Sequence, residues 1–330
     1  MVLIRAKQVR EKVKILGNII KEYKELNPQK KRDYKEYEAE FRRRLKGAIK
    51  NLDELINESI KNLNYFSKNE NKHSLPLAKR MRLILVKELT EKGNRKTANL
   101  IDLFSMLNGI DISYKTVERL YSDEKIMLGL HNLFILILNK RGIKDIHACG
   151  DATGYSLIIS KHYSSYVQKL KDKSKEQIGK KKCFVYKFAL MDLKTKMYIC
   201  YGSSLRSEKE AFDKAMQMLK NIDVKIKSIR LDRYYSFPCY VNQFKDSKVF
   251  IIPRKNAELS NGFKWHETLK EFLLNTMEYL REYFQRNNSE AGWASDKKMF
   301  GWKISQKRED RIDTSLFVRA VWHNLLLIYV

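Results

Sequence analysis

No two of the four cysteines, Cys149, Cys183, Cys200 and Cys239, are spaced as C-x2-C, which removes a zinc ribbon. The six histidines contain no H-E-x-x-H pair, so a zincin-type metal site is excluded as well. G-x-x-x-x-G-K-[ST] is absent, and with it any indication of ATP use. No apolar run is long enough to span a bilayer; the FILIL segment at 134–138 falls far short of about 20 residues. There is no internal repeat, no low-complexity tract and no signal-like N-terminus. Separated thiols without a secretory signal are expected in a reducing, cytoplasmic setting.

What the chain has is positive charge. Lys and Arg total 66 against 39 acidic residues among 330, a formal net charge of +27. Such a balance suits a polyanion, because every neutralised phosphate releases counterions. Hydrophobic residues make up 43%, enough for a sizeable core. A nucleic acid is therefore one expected partner, a ribosome-associated or generally Lys-rich protein being the other reading of the charge, and a membrane is not expected.

The chain reads as three regions. Residues 1–66 are expected to form a helical arm broken only at Pro28, with charges and apolar positions alternating at helical spacing. The polar segment 67–73 is a linker. Residues 74–142 form a helical region: one helix starts near Ser74 and Pro76 and ends at Gly93-Asn94, a second covers 95–107, and a third begins at Ser113. The last two have the dimensions of a helix-turn-helix, with Tyr114, Lys115 and Arg119 near the exposed start of its second helix as DNA contacts. An apolar helix over 124–140 stops at Gly142. From 143 the texture becomes mixed: a strand delivering Asp151, a basic stretch over 161–182, a hairpin turning at 193–195, and a helix capped by Ser207 and Glu210. A strand ending on Asp232, another stopped by Pro253, a long helix or pair of helices through 265–295 and an apolar C-terminal helix follow. Helices first and then this α/β order predict a ribonuclease-H-like core over 143–330, a mixed sheet flanked by helices, behind an all-helical region.

One local pattern carries chemistry. Tyr283, Arg286, Glu290 and Lys297 follow the spacing Y-x2-R-x3-E-x6-K. On one continuous helix they fall within an arc of about 60°. An acid between two cations suits metal-dependent work on a phosphodiester. Two magnesium or manganese ions activate the attacking oxygen and stabilise the crowded phosphorus, and they need two or three carboxylates from rigid elements. Asp151 and Asp232, both placed at strand ends, complete such a set with Glu290. Arg286 and Lys297 are expected to hold phosphate oxygens and Tyr283 to donate to one. Trp293, near the same face, is a candidate for stacking on an unpaired base. Gly292 is expected to bend the helix between Glu290 and Lys297.

At these residues the chain resembles the DDE transposases of bacterial and archaeal insertion sequences, in the subgroup marked by the Tyr-Arg-Glu-Lys signature. Asp151 in DATGYS and Asp232 in IRLDRYYS resemble the contexts of the first two acids, and the likeness covers roughly 145–325. It implies a transposase that binds the terminal inverted repeats of its element, as a homodimer in a synaptic complex at the nucleoid. Metal-dependent hydrolysis frees a 3′-hydroxyl, which attacks a second phosphodiester in the opposite strand or in target DNA. Many such enzymes carry a large β-rich insertion between the second and third acids, often with a hairpin intermediate. Only residues 233–289 lie between them here, which leaves no room for it. Two other readings use the same features: a ribonuclease-H-like nuclease that cuts without joining, and a catalytically inactive DNA-binding derivative or repressor.

Overall fold

The computed structural model describes residues 4–28, 33–63, 75–90, 113–157, 184–259 and 262–328. The linker at 67–73, the helix expected over 95–107 and the basic stretch at 161–182 lie outside these, and so does the first half of the expected helix-turn-helix.

Helices α1 (Ala6–Leu26), α2 (Tyr34–Lys50) and α3 (Leu52–Ile60) open the chain. Asp33 starts α2 by accepting from the amides of Lys35 and Glu36 at 2.8 and 3.2 Å, satisfying donors the first turn leaves open. Helix α4 (Leu77–Leu89) starts behind Pro76. Helix α5 (Tyr114–Leu120) is capped by Ser113, whose hydroxyl accepts from the Thr116 amide at 3.2 Å. Helix α6 (Glu124–Lys140) ends just before Gly142, which takes a left-handed φ of +61° that a side chain would resist. Helix α1 is docked rather than free. Val13 and Leu16 pack with Phe250, Phe272, Leu280 and Tyr283 of the C-terminal half.

Among the described residues, the second half is a mixed six-stranded sheet flanked by helices. Strands β1 (Asp145–Leu157), β2 (Phe184–Asp192) and β3 (Tyr198–Ser204) form an antiparallel meander. Helix α7 (Glu208–Leu219) then crosses to β4 (Lys225–Leu231), which runs parallel to β1, and β5 (Lys248–Phe250) extends the parallel side. The order is β3-β2-β1-β4-β5, with β6 (Lys303–Ile304) pairing the far end of β1. The short helix α8 (Pro238–Val241) lies between β4 and β5. Of the strand expected to run up to Pro253, only Lys248–Phe250 pairs with a neighbour; the Ile251 amide donates instead to the Tyr279 hydroxyl at 2.8 Å.

Helix α7 covers one face of the sheet, where Phe212 meets Phe188 and Tyr235. Gly202 lets it approach: a Cβ there would lie 2.1 Å from the Ala211 carbonyl oxygen and 2.5 Å from the Ala215 amide nitrogen. Both are backbone atoms that cannot swing aside. Gly202→Ala is expected to destabilise the fold by about 2–3 kcal/mol, read as a lower midpoint in urea; an unchanged midpoint would mean that α7 is free to move outward.

Further helices from the C-terminal part of the chain also pack on the sheet, and here the structure corrects the sequence reading. In place of one long helix or a pair, the chain forms α9 (Phe263–Leu274), α10 (Thr276–Tyr283), a 3-10 turn (Phe284–Arg286) and α11 (Asn287–Phe300). The helical path breaks at Asn275, whose φ/ψ of −125°/48° leaves the helical region. Helix α12 (Glu309–Leu325) is the expected apolar C-terminal helix. It is joined to the front half by a buried ion cluster. Arg319 of α12 meets Glu88 of α4 at 3.1 Å, Lys87 reaches the same carboxylate at 3.1 Å, and the Tyr121 hydroxyl donates to it at 2.6 Å. Burial pushes the Glu88 carboxyl up, but Lys87 and Arg319 outweigh it and hold it down at about 2. One apolar cluster runs continuously from Val9 and Leu55 through the sheet to Leu325.

Candidate active site

The register of β1 and β4 sets the first two acids side by side. Gly150 is paired with Leu231, so Asp151 and Asp232 each stand one residue beyond the last parallel pair. Side chains alternate along a strand, and both carboxylates face the α11 side. Asp151 does not end its strand, contrary to expectation. β1 continues to Leu157 because β2 goes on pairing with it, Asp151 lying opposite Ala189. Only the parallel partner stops there. Asp232 does end β4, and its carboxylate also caps the turn that follows, accepting from the Tyr234 amide at 3.0 Å.

Arg286 brings in the third acid. Its guanidinium lies 3.4 Å from Asp232 and 2.8 Å from Glu290, and its Nε donates to the Tyr283 hydroxyl at 3.1 Å. The turn carrying Arg286 packs against β1 and β4, and Tyr23 of α1 stacks on Phe284 with centroids 5.0 Å apart. The docked N-terminal helix thus buttresses the site. Among the described residues, no cation forms an ion pair with Asp151. Burial, with the charges of Asp232 and Glu290 adding to it, pushes its carboxyl up to about 7 against the hydrogen bond from the Ala152 amide and the pull of Arg286. A fourth carboxylate stands nearby. Glu208, in the first turn of α7, accepts from the Tyr235 hydroxyl at 2.7 Å, and its pKa is raised by burial with Asp232 adding to the shift.

This arrangement is short of positive charge. Asp232 and Glu290 share one arginine, and Asp151, the most buried of the three, is met by the Ala152 amide at 2.8 Å rather than by a cation. The donors are all oxygen, which suits magnesium or manganese rather than a thiolate-seeking metal. Among the described residues, no group of three or more His, Cys, Asp or Glu is gathered closely enough to hold an ion as it stands. The Arg286 guanidinium stands between Asp232 and Glu290. The donor set therefore fits divalent cations, provided that Arg286 yields.

The remaining signature residues do not share one helical stripe. The 3-10 turn separates Tyr283, on α10, from Glu290 and Lys297, on α11. Tyr283 is buried in the cluster under α1. It is not a surface contact for phosphate; its hydroxyl orients Arg286. Lys297 donates to the Thr153 hydroxyl at 2.6 Å, two residues along β1 from Asp151, and lies 4.6 Å over the exposed ring of Trp302. Gly292 does not bend α11. It lets the helix lie close on the sheet, where a Cβ would sit 2.3 Å from Cε of Met191. Trp293 is buried and stacked on Tyr198 at 5.1 Å, so no base can reach it. Tyr114, Lys115 and Arg119 lie on the exposed side of α5, which packs on α4, and the structure does not bring them to the acids.

Sequence reasoning missed the buried polar network under α11. Asp296, fully buried, accepts from the Tyr198 hydroxyl at 3.0 Å, and lies 2.7 Å from Nδ1 of His323 and 3.8 Å from Lys187. Burial lowers the Lys187 ammonium to about 8, against the pull of Asp296. The network fixes the helix that presents Glu290 and Lys297. Its signal was a lysine inside the apolar strand FVYKFALMD.

No protein-family model matches the chain. The chain is 39% identical over 328 residues to a protein of Archaeoglobus fulgidus described as "Probable transposase for insertion sequence element ISA1214", an alignment spanning 99% of this chain and 98% of that relative.

Proposed function

The chain belongs to the family of insertion-sequence transposases, and we propose that it cuts and rejoins the DNA of its own element by metal-dependent phosphoryl transfer on a ribonuclease-H-like core. The observation that carries this is that Arg286 bridges Asp232 and Glu290, while Asp151 stands on the neighbouring strand within the field of all three charges. In this reading the signature places the enzyme in the Tyr-Arg-Glu-Lys subgroup of the DDE transposases. The strand order 3-2-1-4-5 supports the fold assignment.

Asp151, Asp232 and Glu290 would hold two magnesium or manganese ions; bound there, the ions supply an activated oxygen nucleophile and charge stabilisation at phosphorus. The protein does the positioning. Neighbouring strands fix the two aspartates, and the buried network beneath α11 fixes the glutamate. Lys297, at the mouth of the site, presents its ammonium to a DNA phosphate, and Arg286 supplies a two-pronged donor to another. Trp302, exposed and anchored where its carbonyl accepts from the Ser156 amide at 3.1 Å, takes the stacking role first assigned to Trp293. The partners are the terminal repeats and the target duplex, engaged as a dimer.

Labelled duplex bearing the element's end, incubated with Mn²⁺, tests this. Nicked and joined products are expected. Nicking alone would make the protein a nuclease, and metal-independent binding without cleavage would make it a repressor. Lys297→Ala should weaken duplex binding and lower the slope of log affinity against log salt by about 1. An unchanged slope would remove Lys297 from the phosphate contacts.

A further inference from the structure

Arg286 is placed where both of its proposed partners compete for it. All three guanidinium nitrogens are engaged: one by Glu290 at 2.8 Å, one by Asp232 at 3.4 Å, and Nε by the Tyr283 hydroxyl at 3.1 Å. Two of these acceptors are carboxylates that the proposed chemistry requires for cations. Only 17% of the Arg286 side chain is exposed, whereas Glu290 is 54% exposed and open to solvent. A planar fork of this kind matches a phosphodiester as well as it matches a carboxylate. The exchange needs only a rotation of the arginine side chain, because the turn that bears it is held by Tyr23 and by the sheet.

We infer that Arg286 is an internal counter-ion that occupies the cation site of the DNA-free protein and leaves it for a DNA phosphate, so that DNA and divalent cations bind cooperatively. This deepens the transposase reading and rests on it. Before DNA arrives, the guanidinium neutralises Asp232 and Glu290 and disfavours a second positive charge between them. When a phosphate takes the guanidinium, both carboxylates are freed together. The site then demands cations at the moment a phosphodiester lies beside it. Coupling is reciprocal, so cations also raise the affinity for DNA. The consequence is a centre that holds metal poorly while the protein diffuses and is armed by its substrate.

The experiment counts bound Mn²⁺ by electron paramagnetic resonance, with and without a duplex bearing the element's terminal sequence, against the doubly substituted Asp232→Asn, Glu290→Gln protein as background. For the wild type, DNA should raise Mn²⁺ affinity about tenfold or more. Arg286→Gln should bind Mn²⁺ without DNA about as tightly as the wild type does with it, and DNA should then add little. Arg286→Lys keeps the charge but loses the fork, and should fall between the two. Tyr283→Phe, which removes one anchor and disturbs the fold least, should raise DNA-free affinity severalfold. Lys297→Gln removes a nearby charge that touches neither carboxylate, and should leave DNA-free Mn²⁺ affinity almost unchanged. Equal gains from Arg286→Gln and Lys297→Gln would overturn the inference, because a general field effect would then suffice. So would a DNA effect of the same size in the wild type and Arg286→Gln. Binding of Mn²⁺ no stronger than background in every protein, with or without DNA, would instead refute the metal-dependent reading itself.

Discussion

Asp232→Asn is expected to lower cleavage of terminal DNA by about a thousandfold or more, which corresponds to about 4 kcal/mol of lost transition-state stabilisation. DNA affinity measured in EDTA should not fall, since phosphate contacts dominate it and the substitution loosens one hold on Arg286. The separation follows from geometry. Asp232 meets Arg286 and caps the next turn through the Tyr234 amide, and an asparagine oxygen can still serve as that cap. What asparagine lacks is the charge needed beside Asp151. Cleavage by this variant at the wild-type rate would remove Asp232 from the site and contradict the three-acid arrangement.

The second large effect couples activity to stability. Asp151→Asn should abolish cleavage and at the same time raise the melting temperature of the metal-free protein at about pH 8, by roughly 2 °C or more. The sign comes from the raised carboxyl. Folding lifts it from an ordinary 3.8 to about 7, because burial and two neighbouring acids disfavour the anion. The favourable contribution is present at low pH, where the folded state keeps the proton, and is lost as pH rises through about 7. Above that, the wild type carries a buried negative charge that the asparagine variant does not. The gap in melting temperature between the two proteins, measured in EDTA, should therefore widen from about pH 4 to pH 7 and level off above that. A gap that is constant across this range would mean that Asp151 is already compensated. Loss of activity with gain of stability is what a functional residue gives, whereas a packing residue loses both.

Much of this arrangement was legible in the sequence because it depends on local features. Ser113 and Ser207 mark helix starts by their capping chemistry, and Asp232 was readable as the end of an apolar strand. The two aspartates and the glutamate could be named because each stands in a short, strongly marked context. What was not legible depends on partners distant in the chain. The sequence could not tell that β2 would carry β1 past Asp151, because register is decided between strands. The helical spacing of Tyr283, Arg286 and Glu290 was real, but tertiary packing on α1 and the sheet imposed a 3-10 turn among them. Gly292 looked like a flaw in a helix and is a close contact with Met191. Trp293 and Trp302 have similar neighbours in sequence, yet one is stacked on Tyr198 and the other faces solvent. Lys187 is the clearest omission. A charge within an apolar strand needs a partner, and that partner, Asp296, lies on a helix far along the chain.

The most direct test of the account is a crystal structure of the protein bound to terminal duplex and Mn²⁺, with the manganese located by its anomalous scattering. Two peaks are expected, each touching carboxylate oxygens from the set Asp151, Asp232 and Glu290, with the Arg286 guanidinium turned from those oxygens to a phosphate. Manganese bound elsewhere, or a guanidinium still lodged between residues 232 and 290 while DNA fills the cleft, would contradict it.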